Sequence, residues 1–529
     1  MHYANLYTDT LRRLSRRQLL NAAWKLGAAA MLQPVTSSRV FAQPVFGTYP
    51  FTLGVASGDP WPDGVVLWTR LAPDPLNGGG MPAAKVEVGW ELARDQAFRT
   101  IDQKGVAVAR PELGHSVHVE VDGLQPGREY WYRFRVGSEI SQVGRTKTAP
   151  AAGATVDQLR FAVCGCNHYE TGFFTAFRRI ADEQFDFVFH SGDYIYEDRA
   201  DGGRTATVVR QHNSQELFTV VDYRNRYALY KSDRNLIAAH ASAPFVTAWD
   251  DHEVDNDYAG SADEHDTPPE VFLLRRAAAY QAYYETMPLR RAAFPTGPDM
   301  RLYRRLRFGT LMDMSILDTR QYRSDQVCGG GTVTGCTAAA DPARTMLGAE
   351  QERWLFEQLP TVRAQWTVIA QQVPMFSRDA SGANPQAQYS MDKWDGYTAD
   401  RARVFARLKE TKAPNPIVLS GDVHMHYGSE LKMDFRNPQS ETIGAEFTNT
   451  SVTSGGDGTD VAAIWEQIRR DNPHVKYHSA RRGYVACTAT PAAMRAEFKI
   501  LDRVSVADQP IKTGGSVVVE AGRPGLVSA

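Results

Sequence analysis

Four short stretches of this chain end an apolar run with side chains that can bind cations. Phe161-Ala162-Val163 leads into Cys164-Gly165-Cys166-Asn167, and Phe187-Val188-Phe189-His190-Ser191 leads into Gly192-Asp193-Tyr194-Ile195-Tyr196-Glu197. Phe245-Val246-Thr247-Ala248-Trp249 leads into Asp250-Asp251-His252-Glu253-Val254-Asp255-Asn256-Asp257. Ile417-Val418-Leu419-Ser420 leads into Gly421-Asp422-Val423-His424-Met425-His426. The third carries five acids in nine residues from Trp249 to Asp257, and carboxylates that close repel unless cations neutralise them. Taken alone, such a segment reads as a solvated acidic loop. Four of them in chain order, each at the end of an apolar run, read as one site. Carboxylates suit hard cations such as Ca²⁺, Mg²⁺ or Mn²⁺, whereas thiolate and imidazole suit softer or transition metals. A tyrosine phenolate favours a strongly Lewis-acidic ion such as Fe³⁺. The ligand types sort into a mixed centre: Cys166, Tyr196 and His424 on one ion, Asp251 and Asp422 on another, with Asp193 able to bridge. Two cations side by side clamp a phosphoryl group and activate water for in-line attack.

The elements that must position these groups are strands whose carboxyl ends face one crevice. From Leu159 the pattern alternates strand, loop and helix, which argues for a layered α/β core. Strands are predicted at 159–163, 185–189, 243–249, 311–317, 366–370 and 417–419, and helices at 172–183, 222–232, 270–284 and 350–358. Residues 484–519 return to β alternation. Ahead of this core, residues 46–148 show short alternating runs between turns, as in Val86-Glu87-Val88-Gly89-Trp90 and Ser116-Val117-His118-Val119-Glu120-Val121. That rhythm predicts an antiparallel β-sandwich domain of immunoglobulin or fibronectin type. Residues 150–153 read as a linker and 155–529 as the main domain.

The first 42 residues read as an export address. Ser15-Arg16-Arg17-Gln18-Leu19-Leu20 is a twin-arginine pattern, a weakly apolar stretch follows, and Val40-Phe41-Ala42 offers a cleavage site before Gln43. The apolar stretch is shorter than the roughly 20 residues that span a bilayer, and no other run is long enough, so no membrane span is expected in the mature chain. The reading implies the twin-arginine translocase as a partner and a periplasmic or secreted location. The formal net charge of −2 and the lack of a basic block beyond the N-terminus argue against nucleic-acid binding. Five cysteines are few. Cys328 and Cys336 bracket a glycine-rich loop that closes easily, and in an oxidising compartment they are predicted to form a disulfide. Cys164-Gly165-Cys166 is too tight for a relaxed bridge. Cys164 reads as buried and structural, Tyr194 as packing, and His190, inside an apolar run, as a core histidine. His426, one alternation step past His424, is expected to face the pocket.

The motifs Gly192-Asp193-Tyr194-Ile195-Tyr196-Glu197, Trp249-Asp250-Asp251-His252-Glu253 and Ser420-Gly421-Asp422-Val423-His424-Met425-His426, with the cysteine motif in front, resemble the PhoD family of alkaline phosphatases and phosphodiesterases. The resemblance covers essentially the whole chain, β domain and export signal included. It implies membership of the calcineurin-like metallophosphoesterases, an α/β fold with a four-layer α/β/β/α sandwich, and a centre of one Fe³⁺ with Ca²⁺. Carried over by motif, Cys166, Asp193, Tyr196 and His424 would hold iron, and Asp193, Asp251 and Asp422 would hold calcium, with Asn256 a further candidate. His252 stands where the superfamily places a phosphate-contacting histidine, so Asp193, His252, Asp422 and His424 are the expected catalytic set. Asn167 departs from the glutamine expected after the cysteine. The implied activity is hydrolysis of phosphate monoesters, and of diesters, at alkaline pH by a metal-activated hydroxide or oxo group. A phospholipase-D-like or nucleotide phosphodiesterase on the same centre, and a periplasmic metal- or phosphate-binding protein without turnover, are the alternatives.

Overall fold

The structure is a computed structural model that describes residues 46–200, 207–382 and 384–528; the export address of residues 1–42 lies outside the described residues. Two large sheets carry the molecule. In the first, the parallel strands Leu159–Cys164, Phe187–His190 and Phe245–Thr247 lie side by side. The antiparallel strands Gly483–Ala489, Ala493–Leu501, Ile511–Glu520 and Arg523–Ser528 extend it on one side. In the second sheet, Met312–Ile316, Trp366–Ala370, Pro416–Ser420 and Thr442–Thr448 run parallel.

Side chains alternate across each strand, and the burial follows. Phe161, Val163, Phe187 and Phe189 point toward the second sheet and pack with Met314, Trp366, Val368, Leu419 and Phe447. Their neighbours Ala162, Cys164 and Val188 point the other way. There they meet the helices Thr175–Asp182, Val220–Lys231, Arg234–Ser242 and Pro269–Thr286, through residues such as Phe177, Tyr227, Leu236 and Tyr280. On the far side of the second sheet, Ile369, Val418 and Ile443 meet the helices Gly348–Gln358 and Thr398–Glu410 through Leu355, Val404 and Leu408. Both faces of the parallel strands are therefore buried, which explains their nearly continuous apolar sequences. The expected strands and helices are present, with ends displaced by a few residues. No helix among the described residues is long and apolar enough to cross a membrane.

Residues 46–148 divide between two sheets. Val86–Ala93, Ile101–Ala109, Glu129–Val136, Glu139–Ile140 and Gly144–Lys147 form a sheet of their own. Val55–Trp61, Gly64–Arg70 and Ser116–Asp122 instead continue the first large sheet, joined by parallel pairing of Gly58 with Phe245. The two faces share a core of Val55, Val65, Leu67 and Val117 against Val88, Leu92, Tyr130 and Phe134. Cys328 and Cys336 form the expected disulfide. It closes the loop bearing the short strand Thr332–Thr334, which pairs with Gln388–Ser390. Cys164, Cys166 and Cys487 are free and buried.

Candidate metal centre

The carboxyl ends of the three parallel strands of the first sheet and of Pro416–Ser420 in the second converge on one crevice. Four of the residues there hold backbone that most side chains avoid: Cys166 at φ 55°, Asp193 at 53°, Asp422 at 69° and His424 at 55°. Left-handed backbone at non-glycine residues costs of order 1–3 kcal/mol each and clusters at functional sites. Gly192 makes the turn possible. Its φ is 121°, and a Cβ there would lie 2.4 Å from the backbone nitrogen of Asp250, so only glycine lets the two strand ends approach this closely.

Cys166, Asp193 and His424 present ligand atoms within 4.8 Å of one another; so do Asp193, Asp251 and His252, and Asp250, Asp251 and Asp422. The Tyr196 hydroxyl donates to Asp193 Oδ2 at 2.7 Å and lies 3.2 Å from His424 Nε2. Cys166, Asp193, Tyr196, Asp251, Asp422 and His424 are thus in one place, with Asp193 shared between two of the groups. Burial, reinforced by Asp193, Asp250 and Asp422, pushes the Cys166 thiol well above its ordinary pKa. Burial, then Asp193 and Cys166, does the same to the Tyr196 phenol. Desolvation and like charge act together here, and a multivalent cation is what reverses both. Asp193 Oδ1 is buried and has no hydrogen-bond donor among the described residues, an orphan that a bound cation would satisfy. The donor set, thiol with phenol and imidazole on one side and carboxylates on the other, fits a softer or ferric ion beside a hard one.

The supports of this set include residues that the sequence did not single out. Ser454 donates to the Tyr196 oxygen at 2.6 Å. Glu253 accepts the backbone N–H groups of Asp193, Tyr194 and Asp250 at 3.1, 2.5 and 2.7 Å, fastening one strand end to the next. Arg226 donates to the carbonyls of Tyr196 and Asp198. Arg482 donates to the carbonyl of His424 at 2.5 Å. Glu197 accepts from His252 Nδ1 at 2.8 Å. Burial would lower the His252 pKa, but the carboxylates of Glu197, Asp193 and Asp251 outweigh it and raise the pKa well above the ordinary value.

Arg320 is the largest addition. Fully buried, it reaches Asp250 at 2.5 Å, Asp422 at 2.7 Å, Asp392 at 3.0 Å and Asp251 at 3.4 Å. Lys393 pairs with Asp392 at 2.6 Å and with Asp422. Two protein cations therefore share the carboxylates expected to hold calcium. Arg320 follows the strand Met312–Ile316 by a few residues, the same strand-end position as the candidate ligands, but an arginine is no ligand type and gave no signal.

Other expectations resolve singly. His190 is a core histidine, its Nε2 2.7 Å from Asn167 Oδ1, and burial lowers its pKa to about 3. Asn167 also donates to the Tyr194 carbonyl at 2.7 Å, so it braces the loop rather than binding in it. Tyr194 packs, with its hydroxyl 2.7 Å from His240 Nε2. His426 does not face the pocket: its Nδ1 accepts from the Thr450 backbone and its ring packs on Phe498, because it begins the next strand, His426–Lys432. The side chain of Asn256 is tied to Glu264 at 2.9 Å.

Residues 161–498 match the PhoD-like phosphatase family, and residues 36–150 match the PhoD-like phosphatase N-terminal domain. Alkaline phosphatase D of Bacillus subtilis (strain 168) is 49% identical over 516 residues, covering 97% of this chain and 88% of that relative. A solved structure described as the structure of PhoD superposes with a TM-score of 0.90 at 50% identity, covering 92% of this chain and 93% of the other. The chain belongs to the PhoD-like phosphatase family and is a phosphoric ester hydrolase.

Proposed function

We propose that the chain is an exported, metal-dependent alkaline phosphatase that hydrolyses phosphate monoesters and diesters. The observation that carries this is the convergence of Cys166, Asp193, Tyr196, Asp251, Asp422 and His424 on one buried crevice. On this reading Cys166, Asp193, Tyr196 and His424 hold Fe³⁺, and Asp193, Asp251 and Asp422 hold Ca²⁺. Bound there, the cations would supply Lewis acidity toward the phosphoryl oxygens and a water made nucleophilic for in-line attack. The chain's own residues do the rest. His252, oriented by Glu197, stands to contact a phosphoryl oxygen. Arg320 and Lys393 offset the charge of Asp251, Asp422 and Asp392. The strained loops hold Asp193, Asp422 and His424 in place before substrate arrives, which lowers the reorganisation needed at reaction.

The layering of helices on the outer faces of two sheets with a shared core supports an α/β/β/α metallophosphoesterase sandwich spanning 155–529. The shared core of 46–148 supports an immunoglobulin-like N-terminal domain. Residues 1–42 act as the twin-arginine signal, giving a periplasmic or secreted enzyme. The test is metal content together with turnover of one monoester and one diester. Iron and calcium with both activities support the proposal. Bound metal without turnover would indicate a binding protein, and diester cleavage alone a phosphodiesterase.

A further inference from the structure

A cavity of about 320 Å³ is lined in part by Asp422 and His424 of the ligand cluster. That volume is at the lower end of small-molecule sites, roughly 300–1,000 Å³. One wall is apolar, made by Pro374, Phe376, Val423 and Tyr427; the Phe376 and Tyr427 rings stand 5.3 Å apart. The rim is formed by Thr332 and Ser390, which pair across the short two-stranded ribbon. The Cys328–Cys336 disulfide fastens that ribbon, so the rim has a covalent anchor.

The charged groups lining the cavity are Arg378, Lys393, Asp395, Asp422 and His424. Asp395 is already paired with Arg401 at 2.8 Å and accepts the Arg378 backbone N–H at 3.0 Å. Lys393 is held by Asp392 and Asp422. The Arg378 guanidinium has no carboxylate of its own among the described residues. Its Nε is buried without a hydrogen-bond partner, and its guanidinium carbon lies 5.7 Å from the centroid of the Tyr427 ring. The side chain is half-buried at the cavity wall, and its planar fork matches a carboxylate or phosphate.

We propose that this cavity is the leaving-group subsite. Arg378 makes it select phosphate esters whose alcohol carries a second anionic group beyond an apolar body lying on the half-buried Val423 and Ala380. The inference rests on the phosphatase reading and adds to it the class of alcohol released. Hydrolysis breaks the bond between phosphorus and the alcohol oxygen, water supplies the new oxygen on phosphorus, and the alcohol leaves with a proton while its anion stays on Arg378.

Two matched pairs of monoesters test it on the metal-loaded enzyme. One pair is para-nitrophenyl phosphate and its ring-carboxylated derivative. The other is propyl phosphate and propanediol bisphosphate. Wild-type enzyme is expected to show a KM lower by about tenfold for the anionic member, the lower end for a charge-assisted hydrogen bond. Preference in the first pair, the second, or both identifies carboxylate, phosphate, or either as the recognised anion. Arg378→Gln collapses the KM ratio within a pair toward one, and Arg378→Lys keeps part of it. A general loss of folding would change both members alike and leave the ratio intact. Turnover of both members by wild type with equal KM overturns the subsite, as does an undiminished ratio in Arg378→Gln. Failure of wild type to hydrolyse any of the four esters overturns the phosphatase reading and the subsite with it.

Discussion

Replacing Tyr196 by phenylalanine removes one oxygen and leaves the ring where it packs against His252 and His168, at centroid distances of 4.1 and 4.4 Å. That oxygen donates to Asp193 and accepts from Ser454. Ser454 keeps a second partner, the Cys166 carbonyl at 2.7 Å, so its loss is partial. Asp193 loses its Oδ2 donor while Oδ1 already has none. The metal-free protein should therefore lose about 1.5–3 kcal/mol, the worth of one hydrogen bond to a charged group. In the metal-loaded protein the consequence differs in kind. A phenolate bound to Fe³⁺ gives a ligand-to-metal charge-transfer band, so the wild type should be coloured and Tyr196→Phe should lose or shift the band. Iron content should fall together with turnover. The assay is elemental analysis, a visible spectrum and phosphatase activity on both proteins, with thermal unfolding of the metal-free forms as the control. A wild type that is colourless, iron-free and fully active would refute the iron assignment. An unchanged band in Tyr196→Phe would refute the role of the phenolate.

Gly192→Ala should cost about 3 kcal/mol or more, or prevent folding, because its Cβ would meet backbone at 2.4 Å; chemical denaturation measures it. Cys328→Ser with Cys336→Ser should lower stability by about 2.5 kcal/mol in the chain-entropy account of a short loop, read as a shifted denaturation midpoint against the oxidised protein. Arg16→Lys with Arg17→Lys should leave uncleaved protein in the cytoplasm, checked by fractionation, and normal export of this variant would contradict the signal reading. Burial raises the Glu446 carboxyl to about pKa 7 against the donors Ser420, Met375 and Phe376 that oppose the rise. A raised acid contributes stability below its unfolded pKa near 4.5 that is lost as pH rises through about 7. Thermal unfolding of the metal-free protein should thus show a fall between pH 5 and about 8 that is missing in Glu446→Gln.

The residues gathered in the crevice were legible because they sit at the ends of apolar runs, and the type of side chain suggests its chemistry. What holds them was not. Ser454 lies 258 residues from the Tyr196 oxygen it touches, and a lone serine after a strand has no local signature. Arg320 and Lys393 are cations in a place where the pattern invites only anions, and only the fold brings them to Asp251 and Asp422. Alternation in 46–148 reported which side chains face inward but not which sheet each strand would join. A strand of the form Val55–Trp61 looks the same at the edge of a small sheet or a large one, and its partner Phe245–Thr247 is only three residues long. The His426 expectation failed for a related reason: alternation continued past His424 in the sequence, but the backbone had already turned into a new strand.

The seam between Gly58 and Phe245 also sets an order of events during synthesis. The hairpin that includes Val55–Trp61 emerges first, yet its parallel partner is made about 190 residues later, and Leu159–Cys164 waits still longer for Gly483–Ala489. At translation rates of roughly 5–20 residues per second, those backbone edges stay open for tens of seconds. An open edge is a template for pairing with another chain. The nascent protein therefore carries open strand edges from its first hairpin onward, and chaperone demand should persist until residue 489 leaves the ribosome.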